Sequence, residues 1–218
     1  MSDLLPVITE KKHTSYSELV TWLDCSWKHK LKYLDGLKLD GPSEHTEFGK
    51  AIHDAMQKYL ETRVMPDFAV VLADFVAKLA VVPGLTEKAK PNEFHNTIAP
   101  ILTEVQAFMD ATFKDWTYVS AEQILYEEAG VQNDRFFKGY IDGIIRVPKS
   151  SRLKRAKPDD YEYWIIDWKT SSWGWPMERK MDKKKTLQLV LYKHFWAQKL
   201  KVDLSDIRCG FVLLKRTP

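Results

Sequence analysis

The sequence predicts an α/β fold with a helical first half and a second half that builds a sheet. Two patterns carry that expectation. Apolar residues recur at three- and four-residue steps up to about Phe113, as on helices packed by one face. Beyond Thr117 come runs rich in aromatic and β-branched residues, as strands are. Residues 1–14 read as a tail, 15–114 as the mostly helical part and 115–218 as sheet and helix, together forming one domain.

The elements follow in order. Tyr16, Leu19, Val20, Leu23 and Trp27 mark a first helix from Ser15, and Gly36, Gly41 and Pro42 punctuate a loop. A second helix spans about Thr46 to Glu61, with Phe48, Ile52, Ala55, Met56 and Tyr59 as its apolar stripe. Asp67 to Ala80 and Thr97 to Phe113 are two more, separated by a loop containing Pro83, Gly84 and Pro91. Tyr118 to Ala129, Phe136 to Val147 and Tyr161 to Thr170 are the strands, the last two joined by a basic loop. A helix from Lys185 to Leu200 and a strand from Ile207 to Leu214 complete the chain.

Composition narrows the function. At 44% hydrophobic and 29% charged residues, the chain can bury a core and is not a disordered polymer. No apolar run approaches the roughly 20 residues of a membrane span, and Met1 to Lys12 has no signal-peptide core. Cys25 and Cys209 cannot form a disulfide scaffold, so a reducing, cytoplasmic setting is expected. Net charge is only +3, but the basic residues cluster. Lys149, Arg152, Lys154, Arg155 and Lys157 precede the third strand, and Arg179, Lys180, Lys183, Lys184 and Lys185 follow it. Either run alone suits a solvated loop; flanking one acidic motif, they suit phosphates of a nucleic acid.

That motif is Asp167-Trp168-Lys169, at the end of the hydrophobic run Tyr161 to Ile166. The period of two puts Asp167 and Lys169 on one face of a strand. A buried acid and lysine need a partner or a ligand, and a plain salt bridge between them is the simpler reading. The preceding strand carries a lone acid, Asp142, which is either a hairpin turn with Gly143 or a second carboxylate beside Asp167. Two close carboxylates repel, and a divalent cation relieves the repulsion. On the second helix, His53 falls at the edge of the apolar stripe, one turn from Gly49, where the missing side chain admits a close approach. A packing histidine is the plainer reading there. Gln188 and Tyr192 share a helical face, suited either to phosphate and base contacts or to a core tyrosine with a rim glutamine.

In this order the elements resemble the PD-(D/E)XK nuclease superfamily. They fit the branch that contains the nuclease domains of RecB- and AddB-type helicase–nucleases and the CRISPR-associated adaptation nucleases. The likeness runs from Ser15 to about Leu214 and rests on His53, Gly139-Tyr-Ile-Asp142, Asp167-Trp-Lys169 and Gln188-x-x-x-Tyr192. Ile141 stands where the superfamily's name has proline. The resemblance implies a restriction-endonuclease-like core, a central mixed β-sheet flanked by helices. It also implies Mg²⁺ or Mn²⁺ held by His53, Asp142, Asp167 and the Trp168 carbonyl, ligands that suit such cations. Asp142, Asp167 and Lys169 are then catalytic, with Lys169 orienting the attacking water. Gln188, Tyr192, Lys183, Lys184 and Trp173 contact substrate, and Trp175 offers a further stacking ring. Some relatives hold an iron–sulfur cluster on four cysteines; with only Cys25 and Cys209, none is expected, and Cys25 reads as a small buried residue.

The function implied is a DNA exonuclease acting on single strands or duplex ends in recombination, repair or phage DNA processing. No Gly-x-x-x-x-Gly-Lys-Ser/Thr loop occurs, so a helicase or recombination partner would be another polypeptide. An endonuclease of the same fold and a catalytically silent DNA-binding module are the alternatives. Strand polarity and oligomeric state are not legible.

Overall fold

The computed structural model describes residues 12–38, 41, 43–85, 91–130, 134–151, 157 and 160–216. They divide into two compact units, one of residues 1–41 and 124–140, the other of 42–123 and 141–218.

In the first unit, β1 (His13–Ser15) pairs in parallel with the start of β3 (Phe136–Pro148), His13 opposite Phe136. Residues 13 and 14 therefore belong to the sheet and not to a tail. The Ser15 hydroxyl caps α1 (Tyr16–Asp24) by accepting from the Glu18 amide. Cys25 is exposed, contrary to the expectation of burial. Its Sγ caps α2 (Ser26–His29) by accepting from the Lys28 amide at 3.4 Å. A cap sits at a helix end, where water reaches it.

The second unit holds the main core. Its long helix α3 (Glu44–Thr62) starts at Ser43, whose hydroxyl accepts from the Thr46 amide, with Glu44 and Glu47 favoured in the first turn by the helix dipole. One face is buried, with Phe48, Ile52, Met56, Tyr59 and Leu60 at 0–1% exposure. These residues pack with α4 (Phe68–Ala80) and α5 (Pro91–Thr112). Helix α5 begins six residues before the periodicity suggests, because proline is accepted in a helix's first turn, where its missing N–H has no partner to lose.

The sheet is mixed. Its order is β1-β3-β4-β5, with β2 (Thr117–Glu128) also paired to β3. Strand β4 (Tyr161–Ser171) runs antiparallel to β3, Gly143 opposite Ile166, and parallel to β5 (Ile207–Lys215), Asp167 opposite Phe211. Helices α6 (Met177–Met181) and α7 (Lys183–Leu200) join β4 to β5, and α7 packs on both strands. This is the restriction-endonuclease-like α/β architecture expected. Ile144, Ile145 and Ile165 are wholly buried, as fits strands covered on both faces. Gly143 lies inside β3, so the hairpin-turn alternative falls. A Cβ there would run into Leu60 Cδ1, so any larger residue would have to displace that buried side chain. No helix among the described residues is long and apolar enough to cross a membrane.

Candidate active site

Three elements of the second unit bring the site together. The register of β3 and β4 places Asp142 one step beyond the Gly143–Ile166 pair, next to Asp167. There the Asp142 carboxylate takes the role of a ladder partner: its Oδ2 accepts from the Trp168 amide at 2.8 Å. The Trp168 side chain is buried at 1% exposure, which anchors the strand and leaves its peptide group at the site. From α3, His53 Nδ1 stands 3.6 Å from Asp142 Oδ2, and the imidazole hydrogen-bonds the Trp168 backbone. The backbone of one residue, Trp168, thus meets both side chains.

Asp167 is 1% exposed and ion-paired to Lys169, which projects from the same face of β4. Apart from that ammonium, neither carboxylate oxygen has a hydrogen-bond partner among the described residues. A buried carboxylate so poorly satisfied is costly unless something else neutralises it. The protonation preferences reflect this. Burial, then the charge of Asp142, pushes the Asp167 carboxyl up to about 6, against the pull of Lys169. Burial does the same to Asp142, to about 6, with Glu122 adding repulsion and Lys169 and the Trp168 amide opposing. Burial and then the Lys169 charge lower His53, favouring the neutral imidazole that can ligate a metal.

A residue the sequence reading missed completes the arrangement. Glu122 lies on β2 with φ of 46°, a left-handed conformation rare for a side-chain-bearing residue in a strand. One ligand atom each from His53, Glu122 and Asp142 lie within 4.8 Å of one another. Burial raises the Glu122 carboxyl as well. The signal was available: Glu122 is the lone charge in Thr117 to Tyr126, the reasoning already applied to Asp142.

These residues open on a cleft of about 540 Å³, lined by His45, Thr46, Gly49, Lys50, His53, Asp54, Glu122, Asp142 and Thr170. At Gly49, a Cβ would meet only Thr170 Oγ1 at 3.5 Å, an ordinary contact, so packing does not demand glycine there. Gln188 and Tyr192 are not in this lining. The Gln188 amide donates to Tyr192 Oη at 3.1 Å, and the tyrosine is 5% exposed. Trp173 is 84% exposed beyond β4, and Lys183 and Lys184 are exposed at the start of α7. Trp175 is not a free stacking ring: it packs on Phe211, with the Arg179 guanidinium 4.7 Å from its centroid. Lys149 is held by Asp160 and Asp206, so it serves the fold. Arg152, Lys154 and Arg155 lie outside the described residues.

Carboxylates from β2 and β3 and an imidazole from α3 at one cleft, beside the Asp167–Lys169 pair of β4, suit a class: a metal-dependent enzyme of phosphoryl chemistry. A family model described as the PD-(D/E)XK nuclease superfamily matches residues 13–218, and the chain belongs to that superfamily. Its chemistry is metal-dependent phosphodiester hydrolysis. No curated protein matches the chain.

Proposed function

We propose that this chain is a divalent-metal-dependent deoxyribonuclease that degrades DNA from ends. The observation that carries the reading is the convergence of His53, Glu122 and Asp142 within 4.8 Å, beside the under-satisfied buried carboxylate of Asp167. The donor set fits a hard cation: carboxylate oxygens, a neutral imidazole and the nearby Trp168 backbone suit Mg²⁺ or Mn²⁺. His53, Glu122, Asp142 and Asp167 would hold it. When bound, such a cation stabilises charge on the scissile phosphate and makes water a better nucleophile.

The chain's own groups supply the rest. Lys169 Nζ, placed by its pairing with Asp167, orients the attacking water and donates to the phosphoryl oxygens as charge develops. The Trp168 backbone meets both Asp142 and His53 and holds the two ligands near each other before a cation binds. Trp173, Lys183 and Lys184 are exposed and would meet bases and phosphates of the outgoing strand. Gln188 positions substrate only if its bond to Tyr192 opens. The preference for single strands or duplex ends, a role in recombination, repair or phage DNA processing and a separate helicase partner rest on the likeness to RecB-type domains; a cytoplasmic site rests on the two cysteines, too few for a disulfide scaffold.

The test is degradation of end-labelled linear and circular DNA, single- and double-stranded, with Mg²⁺, Mn²⁺ or EDTA. Metal-dependent loss of linear DNA that spares circles supports the exonuclease. Cleavage of circles makes it an endonuclease, and binding without cleavage makes it a DNA-binding module.

A further inference from the structure

The end of the cleft away from the metal-ligand cluster has a different chemistry. His45, in the first turn of α3, lines it together with Thr170 of β4. Arg216, just past β5, is drawn onto this rim. Its Nη1 donates to His45 Nδ1 at 2.9 Å, its Nη2 bonds Ser172 Oγ, and its guanidinium lies 5.3 Å from the Phe94 centroid. All of these partners are neutral. Among the described residues no carboxylate pairs with Arg216. Because His45 Nδ1 accepts from Arg216, the imidazole proton sits on Nε2 and adds a donor. Arg216 keeps further N–H donors in its planar fork, the geometry that suits a phosphate.

His45, Gly49 and His53 recur every four residues on one face of α3, so His45 lies about 12 Å along the helix from His53. Gly49 lies midway, with no side chain over the cleft floor and no packing reason for its absence. The cleft between the two ends is open to a nucleic-acid strand. We infer that Arg216, His45 and Ser172 form a second anion subsite, which holds a non-scissile phosphate of the DNA strand whose cleavage is carried out at Asp142 and Asp167. This rests on the nuclease reading and extends it to how the substrate is held. The phosphate is either an internal phosphodiester or a terminal phosphomonoester, and the same donors serve both.

The test measures binding of single-stranded oligonucleotides in Ca²⁺ by the full chain and by Arg216→Gln. In the strand series, one phosphate at a time is a neutral methylphosphonate, and a second set lacks terminal phosphates. The subsite predicts that Arg216→Gln weakens binding about tenfold at low salt and reduces the slope of log affinity against log salt by about 0.7. It further predicts one phosphate whose neutralisation weakens the unaltered chain but not Arg216→Gln. If that phosphate is internal, the ligand is the diester; if only removal of the end phosphate does it, the ligand is the monoester. Equal losses for both proteins at every position overturn the subsite. Arg216→Lys, which keeps the charge on a similar stem, serves should Arg216→Gln unfold, and must then recover binding only in part. No binding by the unaltered chain overturns the nuclease reading as well, and so is distinct from failure of the subsite alone.

Discussion

Two neighbouring stretches of the same strand pair obey opposite rules. At Ile144, Ile145, Ile165 and Ile166, β3 and β4 present only buried hydrocarbon, at 0–1% exposure. One step along, the same strands present Asp142 and Asp167, two carboxylates whose burial drives both toward protonation. The isoleucines stabilise the fold by leaving water. The aspartates oppose it, and their mutual repulsion and desolvation are relieved by a cation that binds the native state alone. Rigidity at the first stretch is what allows poor satisfaction at the second.

The largest effect on folding should come from the hydrocarbon side. Ile145→Ala deletes wholly buried methyl groups and should cost roughly 2–5 kcal/mol, read by denaturant or thermal unfolding. If it instead costs as little as a surface change, the contrast between the stretches is wrong.

On the carboxylate side the sign should reverse. Asp142→Asn keeps an oxygen for the Trp168 amide and removes a charge. In EDTA at pH 7 it should stabilise the protein by roughly 2–3 kcal/mol, or ~2–4 °C in Tm per kcal/mol. The pH dependence fixes the cause. A carboxyl raised from 3.8 to about 6 keeps its proton in the folded chain where the unfolded chain has lost it. Its contribution to stability therefore falls as pH rises through that window. The advantage of Asp142→Asn should be near zero at pH 4 and complete above about 6. A gain already present at pH 4 would point to packing instead.

Smaller again is the contrast between two glycines. Gly143→Ala must displace Leu60 and should cost about 1–3 kcal/mol of stability. Gly49→Ala should raise Tm slightly, since alanine favours the helix interior by about 0.5–1 kcal/mol, while weakening DNA binding, because its methyl would stand in the cleft. Equal effects on Tm would remove the distinction between a packing glycine and a binding one.

What the sequence made legible follows the same division. Asp142, Asp167 and Lys169 stand out because a charge inside an apolar strand has few innocent explanations, and the structure brings the two acids and the lysine together. His53 was legible through helical phase. Glu122 was legible only as a lone charge in its strand, and its direction was not, because that depends on a positive φ that strand alternation cannot foresee. Arg216 was not, since nothing local ties a residue after the last strand to His45, 171 positions earlier. Strand β1 has three residues and exists only through its pairing with β3, far along the chain. Cys25 was misjudged from residue type, where its place at a helix start decides its exposure. Gln188 and Tyr192 share one helical face, as the spacing predicts, and the structure bonds them to each other.

The most direct measurement is calorimetric titration of the metal-free chain with Mn²⁺ at pH 7.5 and pH 5, alongside Asp142→Asn and Glu122→Gln. The account predicts binding at pH 7.5 with little proton release, binding at pH 5 that is much weaker and releases protons, loss in Asp142→Asn and reduction in Glu122→Gln. Binding with the same affinity in all three proteins, or no binding at pH 7.5, would contradict a metal centre built on His53, Glu122, Asp142 and Asp167.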